Sequence, residues 1–505
     1  MDPSSVRLPS KLCHSDRDRA TPVGRGPLRL DGLRSLHRNQ GGTAGLCTPR
    51  EELRVSESDV GGVLDAPLKT DLRVRLSVMM FLQYAIWGAW LPLLWDLLMN
   101  AKGFTGAEVG NIFAVGAVGA IFGPFIAGQV ADRWFRTERF LALSHLIGGG
   151  LAWKMASLDD YNTFFWYALI YGLIYSPTLA LTNSLSFHHL PDRDRDFGKI
   201  RLWGTVGWIV AGIGIGQWLL HHYAGGSADH AKDPQVYAGM ADAFRLSGIC
   251  GITMGLFCLF GLPSTPPSKS QDADNATVKA LGEVSRQPLL TLFLIAVPVS
   301  CIHQFYFVHT APFLNTIQSE LGGSGLATRL NSIFGIGGGG LMTIGQMSEI
   351  LVLALIPLLA LTLSRKKLLM IGLLAYAARM ALFAYAPMLG GVYGMSLVIL
   401  GVALHGFCFG CFIFVAFMVV DEECSTDVRA SAQNLFNLVI IGIGIIVGSK
   451  VASSVAEWAS ARVAEGAPWY EKTTEMFQVP MAASLVCLVL MALLYPSTGK
   501  KEMSS

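Results

Sequence analysis

The recurrence of long apolar runs limits this chain more than any other feature. Runs at 76–98, 107–131, 140–157, 162–187, 201–221 and 244–263 precede a polar stretch, and runs at 288–314, 339–363, 367–387, 391–419, 430–454 and 477–496 follow it. A helix needs roughly 20 apolar residues to cross a hydrocarbon layer about 30 Å thick. Inside lipid the backbone must satisfy its own hydrogen bonds, so runs of this kind fold as helices. A soluble domain carries about 25% charged residues. Here 15% are charged and 52% hydrophobic. The fold class expected is an all-α membrane protein, with twelve transmembrane helices split six and six.

The polar stretch that makes the split opens with Pro263-Ser264-Thr265-Pro266-Pro267. Residues 71–263 are thus expected as a first six-helix bundle, 264–287 as a cytoplasmic linker, 288–497 as a second bundle and 498–505 as a tail. Residues 1–70 are rich in Arg, Gly, Ser and Pro, with no periodic apolar pattern and no apolar core of the signal-peptide kind. Disorder is expected there, or a start assigned too far upstream, because nothing before Leu72 is required by the fold.

Basic residues in short loops orient membrane helices toward the cytoplasm. They collect after the even-numbered runs, as Arg133, Arg136 and Arg139, then Arg193, Arg195 and Lys199, then Lys269, Lys279 and Arg286, then Arg365, Lys366 and Lys367. Both termini are therefore expected in the cytoplasm, in a multi-pass protein of the inner membrane. The net charge of +2 says nothing about nucleic acid, and no nucleic-acid partner is expected. The nine cysteines are scattered and form no disulfide framework; they read as small apolar packing residues.

Against this apolar background the polar residues stand out. Helical spacing places Arg201, Thr205 and Trp208 on one face of the fifth run. A charge at the centre of a span costs about 2.5–3.5 kcal/mol. Arg201 either snorkels to the interface or faces a polar interior. A second polar pair, Gln346 and Glu349, lies deep in another apolar run, and its carboxylate calls for a cation, for which Arg201 is a candidate. Arg379 is a further buried cation, read as structural. His405, Cys408 and Cys411 have spacing that touches on a metal site, but no second half supplies more ligands, so no metal is expected. His405 and Phe409 instead share a face that can line a cavity. The spacings Gly119/Gly123, Gly212/Gly216 and Gly444/Gly448 read as close helix packing. Gly337 to Gly340 mark either a hinge or the end of an external loop. Gly442 to Lys450 lacks both the spacing and the preceding strand of a phosphate loop. No nucleophile–base or paired-carboxylate arrangement suggests an enzyme, and no cofactor is expected beyond a coupling proton.

Twelve spans around a central linker resemble the major facilitator superfamily, and Gly128-Gln-Val-Ala-Asp132-Arg133-Trp-Phe-Arg136 resembles its loop motif, with Phe135 at a usual glycine position. Over roughly 75–497 the chain resembles the bacterial nucleoside:proton symporters of that superfamily. The resemblance is carried by Phe81-Leu82-Gln83, Trp87-Gly88-x-Trp90, Pro177-Thr178-Leu179, Asn183-Ser184 and Ile200-Arg201-x-Trp203-Gly204-Thr205. It continues in Gln346-x-Ser348-Glu349, Ala381-Leu-Phe-Ala-Tyr385 and Arg429-Ala-Ser-Ala-Gln433.

The resemblance implies a nucleoside bound between two rocking halves, with Arg201, Thr205, Gln304, Gln346, Glu349 and Phe409 at family positions that contact ligand or help couple protons. Trp208 joins them through its helix face. Three positions depart: Gly410 stands where the family has an aspartate, His405 where it has a tyrosine, and Phe307 where it has an asparagine. The expected substrate site is therefore Arg201, Thr205, Trp208, Gln304, Phe307, Gln346, Glu349, His405 and Phe409. The expected proton-coupling residues are Glu349, Arg201 and His405. The function expected is nucleoside uptake by proton symport, as a monomer in the bilayer. A proton-independent facilitator or symporter of a sugar or other small polar metabolite is the first alternative. A transporter-like membrane sensor is the second.

Overall fold

The computed structural model describes residues 68–126, 136–266, 273–321, 325–425 and 428–496. The readings placed on 1–67, on the loop motif at 127–135, on linker residues 267–272 and on the tail from 497 lie outside the described residues. Every regular element among the described residues is a helix. Ten are long and apolar enough to cross a membrane. They are α1 (Thr70–Ala101), α4 (Tyr161–His189), α5 (Arg195–Tyr223), α6 (Pro234–Phe260), α8 (Leu289–Glu320), α10 (Gly339–Thr362), α11 (Arg365–Leu389), α12 (Gly391–Glu423), α13 (Ser431–Arg462) and α14 (Trp469–Leu494). Two more, α2 (Gly106–Ile126) and α3 (Thr137–Met155), run between α1 and α4. The ends of α3 carry Glu138, Arg139 and Lys154, which lowers its apolar average.

Two helices lie where none was predicted. The polar linker contains α7 (Ala273–Val284), built from the helix-forming Ala, Leu, Lys and Glu. Its Ala280 and Val284 are buried, and its Glu283 accepts hydrogen bonds from Ser425 N (2.9 Å) and Ser425 Oγ (2.7 Å). The second is α9 (Gly325–Phe334), which ends at the glycine run. Neither stood out as a span because each is short and polar on one side.

The helix that carries Arg201 and Trp208 is set by its approach to α1. A Cβ on Gly88 would lie 2.8 Å from Trp208 Cα, and one on Gly207 would meet the backbone of Phe81 closer still. Two glycines thus let the backbones of α1 and α5 touch, the small-residue device of membrane helix pairs. The expected packing role of Gly212/Gly216 and Gly444/Gly448 is also seen: a Cβ on Gly216 would lie 2.6 Å from Phe334 O, and one on Gly448 2.8 Å from Gln304 Cβ.

The glycine run resolves as a turn. Gly335, Gly337 and Gly338 all have positive φ, which side-chain-bearing residues rarely adopt. Two buried side chains of α8 hold the turn: Asn315 Oδ1 accepts from Gly337 N (3.2 Å) and Gln318 Oε1 from Gly338 N (3.0 Å). At this far end, opposite the end that holds residues 70 and 495, the helices before residue 264 meet those after residue 288. Gly216 O accepts from Ile336 N at 3.1 Å, and Ser332 O from Gln217 Nε2 at 2.9 Å. Asn315 Nδ2 donates to Asp96 Oδ2 and Ala231 O, both at 3.3 Å, and Lys232 pairs with Glu320 at 2.9 Å. Lys450 bonds Asn111 nearby. Among the described residues, the hydrogen bonds that join the two sets of helices gather at this end.

Candidate functional site

Arg201 lies near the start of α5, whose first turn is capped by Asp192 accepting from Arg195 N at 2.9 Å. Its guanidinium rests over the Tyr84 ring of α1, 4.0 Å from the centroid. A cation over a ring face is stabilised by about 0.5–2 kcal/mol, more as the pair leaves water. The direct ion pair expected between Arg201 and Glu349 is not made in this conformation. Two turns along α5, Trp208 is buried and forms edge contacts with Trp87 (6.0 Å) and with Phe307 (6.1 Å). Trp208 therefore bridges α5 and α8.

The partner that Glu349 does meet is His405, whose Nε2 lies 3.7 Å from Glu349 Oε2. His405 sits on α12 just before a π-helical turn, Cys408–Phe414. Such turns offset the side chains on either side and recur at functional sites. The His405 ring stacks on Tyr306 (4.9 Å), on His303 (5.5 Å) and on Phe409 (6.5 Å). His303 in turn contacts Phe307 at 5.2 Å and bonds Tyr376 Oη through Nδ1 at 2.7 Å. Behind His405 lies Arg379, fully buried, its Nη1 3.1 Å from His405 Nδ1. Its guanidinium also faces the rings of Tyr306 (4.1 Å) and Tyr376 (5.0 Å).

Contacts thus link Trp208, Phe307, Glu349, His405 and Phe409 into one cluster, while Arg201 rests on Tyr84. Gln346 is buried one turn from Glu349, and its Oε1 has no protein hydrogen-bond partner, as is true of Trp208 Nε1. A buried polar atom left without a partner costs about 1–3 kcal/mol, so both suit a polar ligand. Gln304 takes a different course. Its amide donates to Ser449 Oγ on α13 at 3.0 Å, and it lines a pocket beside Trp87, Trp90, Tyr171 and Tyr175. Thr205 is half-buried on the Arg201 face. Gly410 is filled from outside, since a Cβ there would stand 2.8 Å from Val352 Cγ1.

Sequence reasoning missed Tyr84, His303, Tyr306 and Tyr376, and it read Arg379 as structural. The signal available was helical spacing within each run, His303 with Tyr306 and Tyr376 with Arg379, which gives faces but not which faces meet.

A family model described as Nucleoside H+ symporter matches residues 70–499. The chain belongs to that family. Among the relatives of this nucleoside H+ symporter family chain, the xanthosine permease of Escherichia coli (strain K12) is 30% identical over 400 residues, which cover 77% of this chain and 89% of that one. The nucleoside permease NupG of the same strain is 29% identical over 396 residues, covering 77% and 88%. A crystal structure of a mutant of the nucleoside transporter NupG superimposes with a TM-score of 0.70 at 25% identity, covering 84% of this chain and all (100%) of that one. The fold is of the major facilitator type, and the family is one of multi-pass inner-membrane transporters.

Proposed function

We propose that this family member takes up nucleosides together with protons. The carrying observation is Glu349 meeting His405 beside unpartnered Gln346 and Trp208 groups. Twelve spans form two halves, 71–263 and 288–497, joined by the 264–287 linker, with both termini in the cytoplasm and the chain acting as a monomer. On that reading the far end faces outward and is shut, and the ligand cavity opens inward. The nucleoside lies between the halves, its base against Trp208, Phe307 and Phe409 and its polar edges on Arg201, Thr205, Gln304, Gln346 and His405. Aromatic faces stack on a base, and amides serve hydroxyls as both donor and acceptor. Glu349 carries the coupled proton, and each proton moving inward adds about 2.3 kcal/mol per 100 mV of membrane potential. The relatives named for nucleosides and xanthosine support the substrate class.

The filled position at Gly410 favours a second reading, a facilitator without proton coupling, because an acidic group present in the family pattern is missing. Uptake of labelled uridine and adenosine, in cells lacking their own nucleoside carriers, separates the two. Uptake that a protonophore collapses, and that Glu349→Gln reduces to equilibration, supports symport. Uptake that equilibrates and ignores the protonophore in the unaltered chain supports the facilitator. Uptake of sugars but of neither nucleoside sinks both.

A further inference from the structure

Arg379 is a full positive charge with no exposed surface, and its Nε and Nη2 have no hydrogen-bond partner. Burying an unpaired charge is costly, so its one polar contact, His405 Nδ1 at 3.1 Å, bears close reading. A guanidinium offers only N–H donors and stays charged. The nitrogen it touches must therefore present a lone pair. A neutral imidazole carries one N–H, which then sits on Nε2, the atom 3.7 Å from Glu349 Oε2.

We propose that Arg379 is a positioning residue for proton coupling: it locks His405 in its Nε2–H tautomer, so that the ring presents a fixed donor to Glu349. This rests on the reading of Glu349 as the proton carrier. The other charged or titratable groups facing the pair are His303, Tyr306 and Tyr376 around the ring, Cys408 on the same helix, and Arg201 on α5. None of these is a second carboxylate, and on the proposed reading the carboxylate of Glu349 takes the incoming proton. The consequence is a switch. At 3.7 Å the contact is electrostatic: the ionised carboxylate attracts the Nε2–H, and protonation removes that charge and leaves only a weaker neutral acceptor. A proton on Glu349 thus weakens the hold of α10 on α12 at the centre of the site.

The direct test is 15N spectroscopy of histidine-labelled protein in lipid nanodiscs, with the His405 signals assigned by their loss in His405→Gln. Over about pH 5 to 8, where an ordinary histidine titrates, Nδ1 should remain a bare acceptor and Nε2 protonated. A doubly protonated ring in that range, or a proton on Nδ1, would overturn the proposal whatever the transport assay shows. The functional test is the pH profile of uptake. Arg379→Met frees Nδ1 and should add an acid limb to the profile, with about a tenfold loss per pH unit once the freed ring takes a second proton. Arg379→Lys, which keeps a donor, should retain the unaltered profile. The double variant Arg379→Met with His405→Gln should lack the new limb. An Arg379→Met profile like that of the unaltered chain sinks the idea. Should Arg379→Met fail to fold, the spectra of the unaltered chain and the Arg379→Lys profile decide. If the unaltered chain shows no proton-dependent uptake, the symport reading falls and the spectra still judge the tautomer.

Discussion

Position 410 shows at residue scale how one side chain alters its neighbours' task. Gly410 lies in the π-helical turn of α12 with Val352 of α10 pressed against it, 2.8 Å from where a Cβ would stand. An acidic side chain cannot be added there without moving Val352. Gly410→Asp alone should destabilise the protein by about 1–3 kcal/mol through overpacking, read as a lower melting temperature in detergent. Adding Val352→Ala should recover most of that loss. If Gly410→Asp melts like the unaltered chain, the packing at this position is looser than it looks. Glu349 sits one turn from Val352, which places the vacated acidic position and the surviving acid on facing helices.

At the scale of the element, α5 carries two site residues because two glycines let it lie on α1. Gly207→Val would drive a branched side chain into the Phe81 backbone, where no rotamer change relieves the clash. A cost of about 1–3 kcal/mol or more is expected, and with it a displaced Trp208, so uptake should fall in whatever protein remains folded. Normal melting and normal uptake would refute the tight pairing. The linker helix α7 makes a separate, pH-dependent prediction. Hydrogen bonds from the Ser425 side chain and amide hold the Glu283 carboxyl below its ordinary value of 4.5. With a lowered folded value, the anchoring is fully present above the ordinary value and is lost as pH falls through the folded one. Hydrogen exchange at the Ser425 amide should be protected at neutral pH and become fast only under acid conditions below that value. Glu283→Gln should weaken the protection at neutral pH, and equal protection in both would remove Glu283 from the anchor.

Among the described residues, Gln217 and Ser332, Ile336 and Gly216, and Lys232 and Glu320 bind the two sets of helices together at one end. Transport by alternating access requires these contacts to open. A thiol cross-linker joining Gln217→Cys to Ser332→Cys should therefore stop uptake, and a reducible linker should restore it on cleavage. Unimpaired uptake through the cross-linked protein would exclude opening at this end.

The chain by itself determined that this is a helical membrane protein, because no other structure satisfies the backbone of such apolar runs in lipid. It also marked Arg201, Trp208, Gln346, Glu349 and His405, since a polar or charged residue in a span is too costly to be incidental. Their roles beyond that came from a resemblance rather than from periodicity. The linker helix was hidden because its apolar face is short. Tertiary structure alone decided which partner meets Glu349. Periodicity gives the face of each helix but not its rotation against its neighbours, which depends on where glycines let backbones touch. That rotation laid Arg201 on Tyr84 and set His405 between Glu349 and Arg379.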